Sequence, residues 1–273
     1  MVKKIVHISD IHIRTNQLHD LYKRQFELFF NDLQKKLYTD VDNKFQVCDY
    51  RIVITGDLFH QKINISNELI MLVSWFIDKL TDLGHVVIIP GNHDFLVNNT
   101  ERLDSITPIV ELLDKPDKIY YYNESDVYKD DGIYWVVYSL YQNNQRPKFE
   151  KEVGVYHVGL FHGPIQGLST DLGYKFDDGY DTLNFVDLDL LLCGDIHKRQ
   201  KFKLPDGGDA IMIGSFIQQD FGETVNHHGY GIFDMETKEY TFHDLPNEQP
   251  FLHFKLNDIK DIETESERLI NLG

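Results

Sequence analysis

Short apolar runs, each followed closely by Asp, Asn or His, recur along this chain of 273 residues. The runs lie at residues 5–8, 52–54, 86–89, 155–161 and 188–193. An apolar run of this length, next to Gly or other turn residues, predicts a buried β-strand. The polar residues that follow would then lie at strand ends, so the chain is constrained to a sheet structure that gathers them together.

Two helical patterns separate the first three runs. Apolar residues recur at steps of three and four between Leu18 and Leu37, and again over residues 67–83. Ser66 is a suitable N-cap for the second helix, and Gly84 is a suitable stop. Alternation of strands and helices predicts an α/β fold with a parallel component.

The pattern shifts toward strands beyond residue 133, with strand-like segments at 133–138, 210–213, 230–234 and 239–243. We therefore expect an α/β fold of two packed mixed β-sheets flanked by helices, a four-layer sandwich, over residues 1–245.

The segment 246–273 has a different character. We expect a strand at 251–256 and then an acidic helical tail, which together are too short for a domain. We interpret this segment as the start of a truncated or missing small domain.

The net charge of −17 argues against broad electrostatic binding to nucleic acid. A site for two divalent cations nevertheless requires carboxylates, and bound cations change the local field. Two cysteines cannot build a disulfide framework, and the charged start of the chain does not resemble a signal peptide. We therefore expect a cytoplasmic, nucleoid, nuclear or viral-factory protein that is neither secreted nor bound to a membrane.

Five polar motifs follow the apolar runs. They are Asp10-Ile11-His12, Gly56-Asp57-Leu58-Phe59-His60, Gly91-Asn92-His93-Asp94, Phe161-His162-Gly163-Pro164 and Gly194-Asp195-Ile196-His197. Ligand sites of open α/β sheets gather at the carboxyl ends of the strands. The motifs supply oxygen and imidazole donors without a thiolate, which favours two divalent ions, Mn²⁺ first, with Fe or Zn as alternatives. Two such ions about 3.5–4 Å apart are typical of phosphoryl hydrolysis.

Any one of these motifs is weak evidence, because Gly-Asp and Gly-Asn are common turn pairs. The order, spacing and donor set of all five together favour a functional site over unrelated turns. By contrast, His7, His85 and His157 lie inside or at the edge of strand runs, and we expect them to be packed core residues. We expect the pair His227-His228 to lie in a solvated loop rather than to bind metal.

The ordered motifs resemble those of the calcineurin-like metallophosphoesterase superfamily over residues 10–197. His60 stands where phosphoprotein phosphatases carry Asp-Arg, and Asp94 stands where they carry Glu. Three downstream blocks resemble the SbcD-type DNA repair exonucleases, the family of the meiotic-recombination-eleven nuclease with its phage and viral members. The blocks are Gly214-Ser215, Phe221-Gly222-Glu223 and Gly229-Tyr230-Gly231, which extends the resemblance to residues 3–256.

The resemblance implies metal-binding roles for matching residues of the five motifs. One ion would be bound by Asp10, His12 and His197, a second by Asn92 and His162, and both would be bridged by Asp57.

It also implies catalytic roles for three residues. His93 would stabilise the transition state or protonate the leaving 3′-oxygen, and Asp94 would orient it. His60 would position the scissile phosphate.

The last motif departs from the pattern of the family, which reads Gly-His-x-His where this chain has Gly194-Asp195-Ile196-His197. Asp is a competent ligand for Mn²⁺ or Fe, so we expect Asp195 to replace the imidazole at the second metal. The substitution would make that site harder and richer in oxygen.

A basic run, Lys198-Arg199-Gln200-Lys201-Phe202-Lys203, follows that motif at once. Four cations beside a metal motif in so acidic a chain predict contacts with a phosphate backbone. A solvated hairpin edge, where Lys is common, is an equally good interpretation.

The sequence therefore predicts a metal-dependent DNA exonuclease or endonuclease, the nuclease subunit of a double-strand-break repair or recombination complex. The resemblance implies DNA, an SMC-like ATPase subunit of the SbcC type and a second copy of the chain as partners. It also implies a capping domain and an ATPase-binding segment, of which this chain would hold little. Alternative functions are a small-substrate metallophosphodiesterase or nucleotide phosphatase and, less favoured, a non-catalytic metal-binding scaffold.

Overall fold

A computed structural model describes residues 1–38, 46–99 and 101–252 of the chain. In this part of the protein, twelve strands form two six-stranded sheets. The order of the first sheet is β12-β11-β1-β2-β3-β4. Its strands are β1 (Lys4–Ile8), β2 (Tyr50–Thr55), β3 (His85–Ile89), β4 (Ile119–Tyr121), β11 (Gly229–Asp234) and β12 (Tyr240–Asp244). Strands β1 to β4 are parallel, whereas β11 and β12 extend the sheet in antiparallel fashion.

The order of the second sheet is β5-β6-β7-β8-β10-β9. Its strands are β5 (Val127–Asp130), β6 (Ile133–Tyr138), β7 (Tyr156–His162), β8 (Leu190–Gly194), β9 (Gln200–Lys203) and β10 (Asp209–Met212). The four central strands are parallel, and the two edge strands β5 and β9 are antiparallel to their neighbours. Both sheets are therefore mixed, and the predicted fold class is confirmed.

The main core lies between the two sheets, where alternate residues of each strand meet. Val53 and Val87 from the first sheet and Trp135, Leu160 and Leu192 from the second are fully buried there. Burial of each such side chain stabilises the fold by about 1.5–3 kcal/mol. This packing holds the carboxyl ends of the two sets of parallel strands in a fixed relation.

The outer faces of the sheets are covered differently. Helices α1 (His19–Tyr38), α2 (Asn67–Leu80) and α3 (Thr107–Leu113) supply the described helical cover of the first sheet, forming a second core with it. The outer face of the second sheet is covered by connecting segments that include Ile165, Phe176 and Phe185.

The two predicted helices are confirmed, and the second begins as expected. Ser66 accepts a hydrogen bond from the Leu69 amide at 3.2 Å, which satisfies one of the free N–H groups of the first turn. This helix ends at Leu80, before Gly84. Thr81 is its C-cap residue and donates its hydroxyl to the carbonyl of Asp78.

Helix α3 and the strands β4 and β5 were not predicted. Each is seven residues or shorter and carries too few turns or alternations to show a period. Of the predicted strand 251–256, the first two residues have no strand conformation, and the rest lies outside the described residues together with the predicted acidic tail. Within the described ranges, no helix has the length and apolar character needed to cross a membrane.

Candidate metal centre

The five motifs lie together where the carboxyl ends of the two sheets meet. The loops after β1, β2 and β3 supply the first three motifs, and the ends of β7 and β8 supply the last two. Two contacts join the sheets at this point. His162 Nδ1 lies 2.7 Å from the carbonyl oxygen of Thr55, and the amide of Asp195 donates to both carboxylate oxygens of Asp10 at 3.1 Å.

Glycines permit this close approach of the loops. Gly56 has a φ of +93°, and a Cβ there would lie 2.5 Å from Nδ1 of His162. A Cβ at Gly91 would overlap the carboxylate of Asp57. Any larger residue would push the motifs apart, so these glycines are required by the geometry of the site.

On one side of the centre, Asp10, His12 and His197 offer ligand atoms that all lie within 4.8 Å of one another. The Nε2 atoms of His12 and His197 are 3.0 Å apart. Two neutral imidazole nitrogens that face each other at this distance need a proton or a cation between them. This group therefore has the composition and spacing of a metal-binding site.

On the other side, Asp10 is part of a second group with Asp57 and His162, again within 4.8 Å. Asp57 lies 3.4 Å from His12 Nε2 and 3.5 Å from His162 Nε2, so its carboxylate faces both sides. Two carboxylates thus connect the two groups.

Asn92 and Asp195 adjoin this second group. Asn92 Nδ2 donates to Asp195 Oδ1 at 2.9 Å, and the same oxygen lies 3.7 Å from His162 Nε2. Asp195 has a φ of 97°, a backbone conformation that few residues other than Gly, Asn and Asp adopt. The structure therefore brings Asp195 next to the candidate metal ligands Asn92 and His162, in a backbone conformation that also suits a turn.

Burial and mutual charge shift the pKa values of these groups. Burial raises the pKa of Asp10 to about 7, although His162 and His197 oppose the shift. Burial also raises the pKa of Asp195. For His197, burial lowers the pKa, but the hydrogen bond to Glu223 and the charge of Asp10 outweigh it and raise the pKa to about 9. The centre thus holds protons that a bound cation would displace.

His60 and His93 lie beside the group on the first side. Their ligand nitrogens are within 4.8 Å of one another and of one in His12. Nδ1 of His93 lies 2.6 Å from the carbonyl oxygen of His60, which favours a proton on Nδ1. Arg14, which the sequence analysis did not identify, donates from Nη1 to His60 Nε2 at 3.0 Å.

The expected pairing of Asp94 with His93 is not found. The buried carboxylate of Asp94 accepts hydrogen bonds from the backbone amides of Asp57, Phe59 and Gly91 at 2.8–3.0 Å. Nδ1 of His93 contacts the carbonyl of His60 instead. Asp94 therefore holds the second and third motif loops together.

Glu223 is the main residue of the site that motif analysis left without a role. Its Oε1 lies 2.6 Å from His197 Nδ1, and its Oε2 accepts from the Ser215 hydroxyl at 2.8 Å and the Gln219 amide at 3.0 Å. A carboxylate behind a metal-binding imidazole fixes the orientation and tautomer of the ring. The resemblance of the Phe221-Gly222-Glu223 block to nucleases marked Glu223 in the sequence. Its contact with His197 is seen only in the tertiary structure.

The basic run lies mainly on the edge strand β9, as the hairpin interpretation predicted. Arg199 forms an ion pair with Asp244 and stacks on Phe242, with the guanidinium 4.6 Å from the ring centre.

The lysines of the run also have partners within the chain. Lys201 donates to the carbonyl of Tyr240 at 2.6 Å, and Lys203 pairs with Asp209 at 2.8 Å. Lys198 Nζ lies 3.3 Å from the Ser169 hydroxyl.

The other histidines only partly follow expectation. His7 and His157 are fully buried, as predicted, but His85 is only partly buried at the start of β3. His227 is exposed in a loop, whereas His228 is buried, which corrects the expectation of a solvated pair. Nδ1 of His228 lies 3.0 Å from the Ser215 hydroxyl, so this residue belongs to the network behind Glu223.

The residues present fit a divalent metal site. The buried Nε2 of His162, which faces Asp57 and Asp195, has no hydrogen-bond partner in the described part of the chain. An unpaired buried nitrogen is unfavourable unless a ligand satisfies it. Together with His12, His197 and the clustered carboxylates, it forms a donor set for divalent cations that bind both oxygen and imidazole.

Two packed mixed sheets with such a donor set at their common edge define a metal-dependent hydrolase. The chain belongs to the calcineurin-like phosphoesterase family, whose pattern matches residues 3–199. Membership implies metal-dependent hydrolysis of phosphoesters at a centre of two divalent ions.

A relative from Acanthamoeba polyphaga mimivirus, described as an uncharacterized protein, is 31% identical over 274 residues. The match covers 97% of this chain and 20% of the relative, so the chain spans about one fifth of the length of that protein. A solved structure described as a cold-active protein tyrosine phosphatase aligns with 86% of this chain and 74% of its own, at 16% identity and a TM-score of 0.37.

Proposed function

We propose that the chain is a metal-dependent DNA nuclease, an exonuclease or endonuclease that acts in double-strand-break repair or recombination. The observation that carries this proposal is the contact between Glu223 and His197. The downstream blocks that resemble SbcD-type nucleases include Ser215 and Glu223, and both belong to the network directly behind this candidate ligand. The nuclease-like signature and the phosphoesterase motifs are thus parts of one site.

The chain offers ligands for two ions. Asp10, His12 and His197 would hold the first, Asn92, His162 and Asp195 would hold the second, and Asp57 would contribute to both. Asn92 donates its Nδ2 to Asp195, which leaves its amide oxygen available as a donor to a cation. Two divalent ions supply Lewis-acid chemistry and a more acidic water for attack on a phosphodiester.

His93 is the proton donor or charge-stabilising group of the proposed reaction. Its Nδ1 is held by the carbonyl of His60, so Nε2 is the nitrogen that remains for the leaving 3′-oxygen, and it donates a proton from the imidazolium form and returns to the neutral Nδ1–H ring. Asp94 contributes by fixing the backbone of the loops that carry Asp57 and His93.

His60 and Arg14 position the scissile phosphate. The guanidinium of Arg14 beside His60 Nε2 places a permanent positive charge next to the metal centre. Burial and this charge lower the pKa of His60, so its imidazole is neutral near pH 7. Arg14 then supplies the charge that attracts the phosphate, and His60 forms part of the phosphate-binding site.

The proposal also includes partners. DNA is the substrate, and an SMC-like ATPase subunit and a second copy of the chain are partners that the resemblance implies. The chain matches only one fifth of its mimivirus relative, so these associations are proposals about the whole protein.

The decisive test is an assay of the purified chain on linear duplex DNA, single-stranded DNA and bis-p-nitrophenyl phosphate. We expect Mn²⁺ to stimulate cleavage of all three and Mg²⁺ to support little, because Mg²⁺ prefers an octahedral shell of oxygens and this centre contains three imidazoles. Equal rates at matched free Mg²⁺ and Mn²⁺ would contradict the metal assignment.

The same assay separates the alternatives. Cleavage of the small diester without cleavage of DNA would favour a small-substrate phosphodiesterase or nucleotide phosphatase. Binding of metal without hydrolysis of any of the substrates would favour the metal-binding scaffold.

A further inference from the structure

A cavity of about 760 Å³ adjoins the metal centre on the side of Arg14. It lies between the start of helix α1, the loop 216–221 and the segment 245–251. This volume is typical of sites for small molecules. Its wall contains none of the candidate metal ligands; it shares Arg14 with the phosphate side of the centre, and Gln219 and His228 with the network behind Glu223.

Arg14 connects the cavity to the phosphate side of the centre. Its Nη1 donates to His60 Nε2, and its Nη2 donates to the carbonyl of Gln219, each at 3.0 Å. The same side chain lines the cavity. A phosphate held beside His60 would therefore have its adjoining group at the mouth of the cavity.

The wall of the cavity suits a flat, uncharged ring better than a second phosphate. Four aromatic residues line it, namely Tyr22, Phe216, Phe221 and Phe251. Phe221 is 54% exposed, and its ring meets that of Phe251 edge to face, with the centres 5.1 Å apart. Aromatic side chains of this kind stack on nucleic-acid bases without regard to sequence.

The wall also carries an unsatisfied polar atom. Gln25 is only 2% exposed, and its Nε2 donates to the carbonyl of Pro246 at 2.9 Å. Its Oε1 is buried and has no hydrogen-bond partner within the described residues. A ring N–H or exocyclic amino group in the cavity could satisfy this oxygen, as the bases of nucleotides do.

The wall is bonded to the loop that carries the first metal motif. The Tyr22 hydroxyl donates to the carbonyl of His12 at 2.6 Å, and Gln219 Nε2 donates to the carbonyl of Ile11 at 3.0 Å. An occupant of the cavity would therefore rest against the same backbone that presents Asp10 and His12.

We propose that this cavity is a subsite for a nucleobase, which holds the base of a nucleotide unit whose phosphate lies at the metal centre. The inference rests on the proposed function and specifies its substrate as a nucleotide-containing phosphodiester. Stacking against Phe221 and a hydrogen bond to Gln25 recognise the base, and Arg14 marks the boundary between base and phosphate.

Binding measurements test the subsite without catalysis. Deoxyadenosine 5′-monophosphate and 2-deoxyribose 5-phosphate differ only in the base, and each is titrated into the Mn²⁺-loaded chain by calorimetry. We expect the nucleotide to bind about five- to 150-fold more tightly, the range that stacking of one base provides. Phe221→Ala and Gln25→Met should each reduce this preference several-fold. Met71→Ala, a change at an exposed position on α2, is the matched control and should retain it.

Equal affinity of the two compounds for the wild-type chain would overturn the subsite, as would a preference that survives both variants. Hydrolysis of thymidine 5′-p-nitrophenyl phosphate is measured separately. A clear base preference without hydrolysis would reject the nuclease function and leave the subsite standing.

Discussion

The two sides of the metal centre are held in different ways. His197 is fixed from behind by Glu223, which is itself bonded to Ser215 and to the Gln219 amide. Asp195, on the other side, contacts mainly other candidate ligands, Asn92 at 2.9 Å and His162 at 3.7 Å. The protein therefore orients His197 before any ion binds, whereas the Asp195 carboxylate depends on its neighbouring candidate ligands; His162, beside it, is held by the carbonyl of Thr55. A substitution should therefore act on metal binding directly at Asp195 and indirectly at Glu223.

His93 lies beside the first side, and its substitution distinguishes a catalytic role from a metal-binding one. We expect His93→Ala to retain two ions and to lose about 10²–10⁴-fold in rate, the contribution of a general acid or charge-stabilising group. The measurement is metal stoichiometry alongside the rate of diester hydrolysis, with the exposed variant Met71→Ala as control. A protein with one ion would show that His93 is a ligand.

Substitutions of Asp195 test whether it is a ligand of the second ion. If it is a ligand, Asp195→Ala should weaken the second ion by more than the roughly 10–100-fold that loss of an outer hydrogen-bond partner costs. Asp195→Asn retains a carbonyl oxygen and a favourable turn conformation, so its affinity should fall between those of wild type and Asp195→Ala.

Asp195→His introduces a softer donor and should restore two ions with a changed metal preference. The backbone of the introduced histidine must then adopt the φ of 97° found at Asp195, which reduces the gain in metal affinity. Metal titration of the three variants decides the question. Wild-type affinity in Asp195→Ala, or wild-type behaviour in Asp195→Asn with a poorer His variant, would identify a turn residue.

Substitutions of Glu223 test whether it supports His197 as a ligand of the first ion. Glu223→Gln keeps a carbonyl oxygen that can accept from His197 but lacks the charge, and we expect first-ion affinity to fall by about tenfold. Glu223→Ala should approach the upper end of the roughly 10–100-fold range for such partners. Titration at saturating second ion, with the exposed Glu236→Gln as control, measures the difference. Wild-type affinity in both variants would show that Glu223 does not support His197 as a ligand.

The basic run should have the smallest effect. Neutralising Lys198, Arg199, Lys201 and Lys203 would flatten the salt dependence of DNA binding by about 0.7–0.9 per lost phosphate contact. Because three of these side chains already contact Asp244, Tyr240 or Asp209, we expect a loss of fewer than four contacts. Hydrolysis of bis-p-nitrophenyl phosphate should not change. An unchanged salt slope would leave the run as a solvated edge.

Recognition of elements from the sequence depended on their length. Long or strongly apolar segments such as α1 and β7 show their period over many residues, and both were predicted within one residue of their bounds. Helix α3 has seven residues and β4 has three, so neither repeats its pattern enough to be read. Tertiary contacts with the first sheet decide these short elements.

The sequence by itself determined which residues gather at the centre. The five motifs follow parallel strands, and the ends of such strands meet at one edge, so a local pattern is enough to predict a common site. Only the tertiary structure decided the partners around it. Arg14 reaches His60 across 46 residues, Glu223 reaches His197 across 26, and Arg199 reaches Asp244 across 45. Contacts between side chains so far apart depend on how two sheets and their loops pack, and no local spacing in the chain encodes them.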